Sequence, residues 1–164
     1  MATHMLAPYP LAGILRDWRS FIEQAEESET FQVGSEVLRA LAREDSARFL
    51  YNDAWRDYGR DRDGTRLCYG LCAALDELAE ASSLWSRIAG YLDEELKQDD
   101  DEYLQRLREA SRHQFQRVSF LQWTVQGDVQ EIAKMHKVLL SITVLDEQNM
   151  SVLDEQEEGE EPHE

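Results

Sequence analysis

The sequence predicts an all-α protein: an antiparallel bundle of three to four long helices with coiled-coil-like packing, followed by an acidic, disordered C-terminal tail. Three observations lead there. The chain has 164 residues and three prolines, two before residue 11 and one at 162, so about 150 residues run without a helix breaker. It is rich in Ala, Leu, Glu, Arg and Gln, the residues that lose least on entering a helix. Its apolar residues recur at spacings of three and four over long stretches. At this length one domain buries a core without disulfide or metal staples. The boundaries expected are a helical domain over 6–147 and a tail over 148–164.

The first segment, PLAGILRDWRSFIEQAEES, sets Leu11, Ile14, Leu15, Trp18, Ile22 and Ala25 on one face behind Pro10, which suits a first turn. SETFQVG interrupts it, and Ser28 or Thr30 is placed to cap the next helix. That second helix, about 31–59, carries Val37, Leu38, Leu41, Phe49, Trp55 and Tyr58 on a broad face that also receives Asp45 and Asn52. Those polar residues belong either at a wet margin or, paired, inside; the margin is cheaper, because a lone buried carboxylate is costly.

The third helix, about 65–97, has the clearest pattern. Leu67, Leu71, Ala74, Leu78, Ala81, Trp85, Ile88 and Leu92 form a heptad seam, flanked by Cys68, Leu75 and Ala89 on one side and Gly70, Leu84 and Tyr91 on the other. A stripe this wide faces two neighbours, so this helix is expected at the centre of the bundle. A fourth helix comes after the acidic run QDDDE, whose carboxylates suit a helix N-terminus, and its periodicity runs to about residue 147. Leu104, Leu107, Val118, Leu121, Val125, Ile132, Met135, Leu139 and Ile142 hold one frame, with Ser111, Gln114 and Asp128 at core-type positions. A helix that long, about 65 Å, outruns every other in the chain. It therefore breaks near Gly127, or a second copy covers its end.

Charge narrows the function. The formal net charge is −17, but residues 146–164 hold nine acidic residues and no Lys or Arg. Residues 1–145 then carry 25 acidic and 17 basic side chains, a net of −8. A body of that sign disfavours duplex nucleic acid and anionic lipid, both of which need positive surface. No long apolar run and no basic-then-apolar start is visible, so the expected compartment is the cytoplasm, with the nucleus as the alternative.

Motifs of catalysis are absent from the sequence: no nucleophile elbow, phosphate-cradling glycine loop, dinucleotide fingerprint or zinc-ligand spacing occurs. No catalytic residue, metal ligand or cofactor is assigned. GRDRDGTR at 59–66 places Asp61, Asp63 and Gly64 as a calcium loop does, but glycines stand where ligands belong and three arginines crowd it; it reads as an interhelical turn. Glu109 and His113 stand four apart on the outside of the fourth helix, a surface pair. His136 borders the core seam. Cys68 reads as a small core residue. Cys72, about 40° further round, is nearer the margin, and two thiols make half a zinc site.

The function expected is that of a non-catalytic helical protein–protein interaction protein, an adaptor or scaffold that forms a homodimer. Its expected contact surface is Val125, Ile132, Met135, Leu139 and Ile142. The alternative is a peripheral membrane scaffold with Arg106, Arg108, Arg112 and Arg117 as contacts to an anionic surface, since residues 104–137 carry a local excess of positive charge, and a helical-bundle enzyme is the third reading, behind both. The tail adds a repeat. TVLDEQ at 143–148 returns as SVLDEQ at 151–156, which marks Thr143 and Ser151 as candidate phosphosites and Leu145, Asp146, Leu153 and Asp154 as a candidate docking motif. A solubilising tail is the plainer reading of the same residues.

Overall fold

A computed structural model of the chain describes residues 31–138, together with Leu6, Arg16, Trp18 and Arg19. The described residues form three α-helices: α1 (Phe31–Asp61), α2 (Gly64–Gln98) and α3 (Glu102–His136). Their starts lie within a few residues of those read from the sequence. The expected N-terminal helix is represented by Arg16, Trp18 and Arg19, which are helical, and the rest of it lies outside the described residues.

The middle helix is the centre of the unit. Both α1 and α3 pack along it, and all eight seam residues from Leu67 to Leu92 are buried, with Cys68, Leu84 and Ala89 buried beside them. Ion pairs fix the directions. Arg66 reaches Asp61, Arg43 reaches Glu77 and Arg87 reaches Glu36, so α1 and α2 are antiparallel. Arg112 reaches Asp93 across the next interface, where α3 turns back on α2. The three helices run up, down and up, so α1 and α3 are parallel.

The connections arise from local chemistry. Between α1 and α2 stand two residues. Arg62 takes a left-handed conformation at φ 58°, its guanidinium lies 5.4 Å from the centre of the Tyr58 ring, and Asp63 caps α2 by accepting the Arg66 N–H at 3.0 Å. Asp61 accepts the Asp63 N–H at 3.0 Å. The would-be calcium loop is thus a turn whose carboxylates bind its own backbone. At the start of α3, Asp101 accepts the Tyr103 N–H at 2.7 Å, the role that the acidic run suggests.

The end of α3 corrects an expectation. Periodicity carries the helix to about 147, past Gly127. The helix does pass Gly127 unbroken, but it stops at His136, where Lys137 turns left-handed (φ 52°, ψ 40°) and the Lys137 and Val138 N–H groups bond back to Ala133. At 35 residues α3 equals α2, so among the described residues the two helices show no length mismatch of the kind that called for a second copy.

Gly70 and Gly90 stand on one helix in opposite situations. A Cβ at Gly70 would lie 2.6 Å from Ala54 Cβ, whereas one at Gly90 would meet nothing within 4 Å. Gly70 thus permits the close approach of α1 and α2. Gly70→Ala is expected to cost about 1–3 kcal/mol through overpacking, despite the better helix propensity of alanine. Gly90→Ala should add up to about 1 kcal/mol. Urea denaturation monitored by circular dichroism separates the two.

Candidate functional site

α3 has two faces of contrasting chemistry. The inner face meets α1 through long side chains. On α1, Val37, Glu44, Tyr51 and Tyr58 repeat at seven-residue spacing, one core row that changes from apolar to polar. Glu44 is 3% exposed; it accepts the Trp85 indole N–H at 2.8 Å and is paired with the Arg117 guanidinium. Tyr51 donates to Asp128 at 2.7 Å, and the Tyr58 hydroxyl is hydrogen-bonded to His136 Nε2 over 2.7 Å. Burial, and then the bond to Asp128, push the Tyr51 phenol above its ordinary range.

Several residues that the sequence marks as ambiguous have defined partners. Asp128 is paired, Asn52 accepts the Leu6 N–H at 3.0 Å, and Asp45 stays exposed beside Arg48. Ser111 is buried and satisfied by donating to the Arg108 carbonyl at 2.8 Å. Sequence reasoning overlooks Glu44, although its place one heptad after Val37 is the signal.

The expected contact surface divides. Val125 and Ile132 are buried within the three-helix unit against the shared core, which removes them from any outer surface. Met135 is 61% exposed. Leu139 and Ile142 lie outside the described residues, as do Thr143, Leu145, Asp146, Ser151, Leu153 and Asp154.

The four arginines do not form one cationic face. Arg108 and Arg112 both pair with Asp93, Arg117 turns inward to Glu44, and Arg106 is exposed. Their charge is largely matched by carboxylates of the same unit. No helix among the described residues is long and apolar enough to cross a membrane.

The outer face of α3 carries what the sequence pattern concealed. Phe120 is 64% exposed and Trp123 70%, with ring centres 6.1 Å apart. From Gln114 to Gln130 the helix has two charged residues, Arg117 and Asp128, and both bond to α1. The outward residues there are glutamines, Ser119, Thr124, Gly127 and the aromatics. A solvated face in a chain at −17 would be expected to carry charge.

Two other features are less suited to a role. Leu38 and Phe49 are exposed on α1, on the same helical stripe as Asn52, which already binds Leu6 of the N-terminal segment. An open groove of about 300 Å³ between α1 and α2 is lined by Leu50, Ala54, Leu67 and Gly70. Its rim carboxylates Asp57 and Asp61 face Arg66.

Cys68 is buried and Cys72 half-buried, both as free thiols. Burial raises both thiols above the ordinary range, with Asp76 adding to the effect on Cys72. Both therefore stay protonated and poorly nucleophilic at neutral pH. A thiol reagent on the folded protein should react slowly with one cysteine, faster as pH rises, and with two after denaturation; Cys72→Ser should abolish the native-state phase.

No protein-family model matches this chain, and neither the curated proteins nor the solved structures contain a match to it.

Proposed function

We propose that this protein is a non-catalytic helical interaction module, an adaptor or scaffold that self-associates through a helix surface. The observation that carries this reading is the exposed Phe120–Trp123 pair at the centre of an uncharged outward face on α3. Interface centres are depleted in charge and enriched in aromatic residues. Two large rings in water have a hydrophobic cost that association relieves.

Charge supports the same reading. Copies at −17 repel one another over most approaches, and a face without charge is where they approach at least cost. The self-pairing surface is thus the outer face of α3, in place of the buried Val125 and Ile132.

Light scattering of the full chain between about 1 and 200 μM, the range of weak to moderate association, tests it. Mass should rise with concentration, and rise more readily in high salt, which screens the net repulsion. A mass fixed at that of one chain throughout, at both salt concentrations, would remove the reading.

A further inference from the structure

The outward residues of α3 form a second heptad row. Glu109, His113, Gln116, Phe120, Trp123, Gly127, Gln130 and Lys134 succeed one another at alternating spacings of four and three, and every one is exposed. The inner row of the same helix, with Leu107, Ser111, Val118, Val125, Val129 and Ile132, is buried against the rest of the unit. Of the outer row Phe120 and Trp123 are the apolar members, so the apolar surface on this side is one turn at the centre of a polar row. The inner row has its partner, and the outer row lacks one among the described residues.

Resting on the self-association proposed above, we infer that this outer row pairs with the same row of a second copy, antiparallel, about a two-fold axis between Phe120 and Trp123. Complementarity within the row identifies the occupant. In that register Phe120 of each copy packs on Trp123 of the other, and Gln116 lies over Gly127, where a Cβ would meet nothing within 4 Å. His113 meets Gln130, and Glu109 meets Lys134. Each layer occurs twice, as an isologous interface requires.

A parallel pairing of the same rows would instead stack Glu109 on Glu109 and Lys134 on Lys134, two like-charge layers. It would also face Gly127 with Gly127, gap against gap. Antiparallel helices also oppose their dipoles favourably. Gly127, which weakens the middle of α3 as a helix former, is explained as the place where the partner approaches.

From Glu109 to Lys134 the row is about 39 Å long. Two faces of that length and about 10 Å width overlap by roughly 400 Å² on each copy, about half of what each partner buries in a standard stable interface and in the range of weak, transient contacts. The pair is accordingly a reversible dimer.

Sedimentation equilibrium of the full chain and four variants at low ionic strength tests the register. Phe120→Glu/Trp123→Glu should weaken the dimer by more than about tenfold with the thermal unfolding midpoint unchanged at concentrations low enough that both proteins are monomers, both side chains being exposed. Glu109→Lys and Lys134→Glu should each weaken it about three- to tenfold by opposing like charges. Their combination, Glu109→Lys/Lys134→Glu, should return it to within about twofold of the unaltered protein, because the layers are again opposite in charge.

A dimer indifferent to Phe120→Glu/Trp123→Glu would overturn this interface while leaving self-association intact. A monomer in every sample would remove both. Failure of the combined variant to recover would overturn the antiparallel register.

Discussion

Replacing Trp85 by alanine should destabilise the protein by about 3–5 kcal/mol, among the largest effects of any single substitution in the described residues. Trp85 is fully buried at the crossing of three parts of the chain. Its ring centre is 6.1 Å from that of Trp18, it belongs to the core seam of α2, and its indole N–H serves Glu44 on α1. Truncation opens a cavity where the N-terminal segment meets the bundle and leaves one oxygen of a buried carboxylate without its donor. Trp85→Phe keeps most of the volume and loses the donor, so about 1–3 kcal/mol is expected. Trp123→Ala, on the exposed face, should change the stability of one chain by less than about 0.5 kcal/mol. Urea denaturation of the three variants, monitored by far-ultraviolet circular dichroism, checks the order; equal losses for Trp85→Ala and Trp123→Ala would contradict it.

Arg117→Met should cost about 3 kcal/mol, far more than a surface ion pair contributes. Glu44 is 3% exposed, and without Arg117 its charge has the Trp85 N–H as its remaining described partner. Arg117 is less buried than Glu44 and also donates to Gln114 at 2.9 Å. The asymmetry gives a second expectation. Glu44→Gln leaves an arginine that water can reach and keeps an acceptor for Trp85, so about 1 kcal/mol is expected. In the double variant Glu44→Gln/Arg117→Met the charge that needs a partner is gone, and the loss should fall below the sum of the singles. Additive losses would show that Glu44 and Arg117 act independently.

The parts of this fold that were legible in the sequence are those where one residue type answers one local demand. The α2 seam is apolar at all eight positions, because α1 and α3 cover it on both sides. The acidic run that contains Asp101 announces the start of α3 because a short carboxylate satisfies backbone N–H groups that no other helical residue reaches; Asp63, legible from the sequence as part of a turn, caps α2 in the same way. The end of α3 was not legible for the converse reason. A glycine or asparagine marks most left-handed helix ends, but here Lys137 takes that conformation, and the apolar residues beyond it continue the spacing.

The site was less legible than the fold. Glu44, Tyr51 and Tyr58 occupy a core row, which spacing can reveal, but their partners Arg117, Asp128 and His136 are more than seventy residues away and fixed by packing alone. The outer row of α3 was hidden differently. A search for heptads tracks the stronger apolar frame, and on α3 that frame is the inner one. Phe120 and Trp123 fall outside it, among glutamines that read as an ordinary wet face. Their meaning comes from two facts together: the inner face is already filled, and the charges nearest the rings are turned away from them.

The most direct test of a two-faced α3 is the mass of the unaltered full chain by sedimentation equilibrium, from low to high micromolar concentration. One chain is 19.1 kDa. A mass that rises with concentration towards twice that value, and no further, is the result expected of a helix whose inner row closes the unit and whose outer row closes a two-fold pair. A mass that stays at 19.1 kDa across the range, or one that climbs without a plateau, would contradict it.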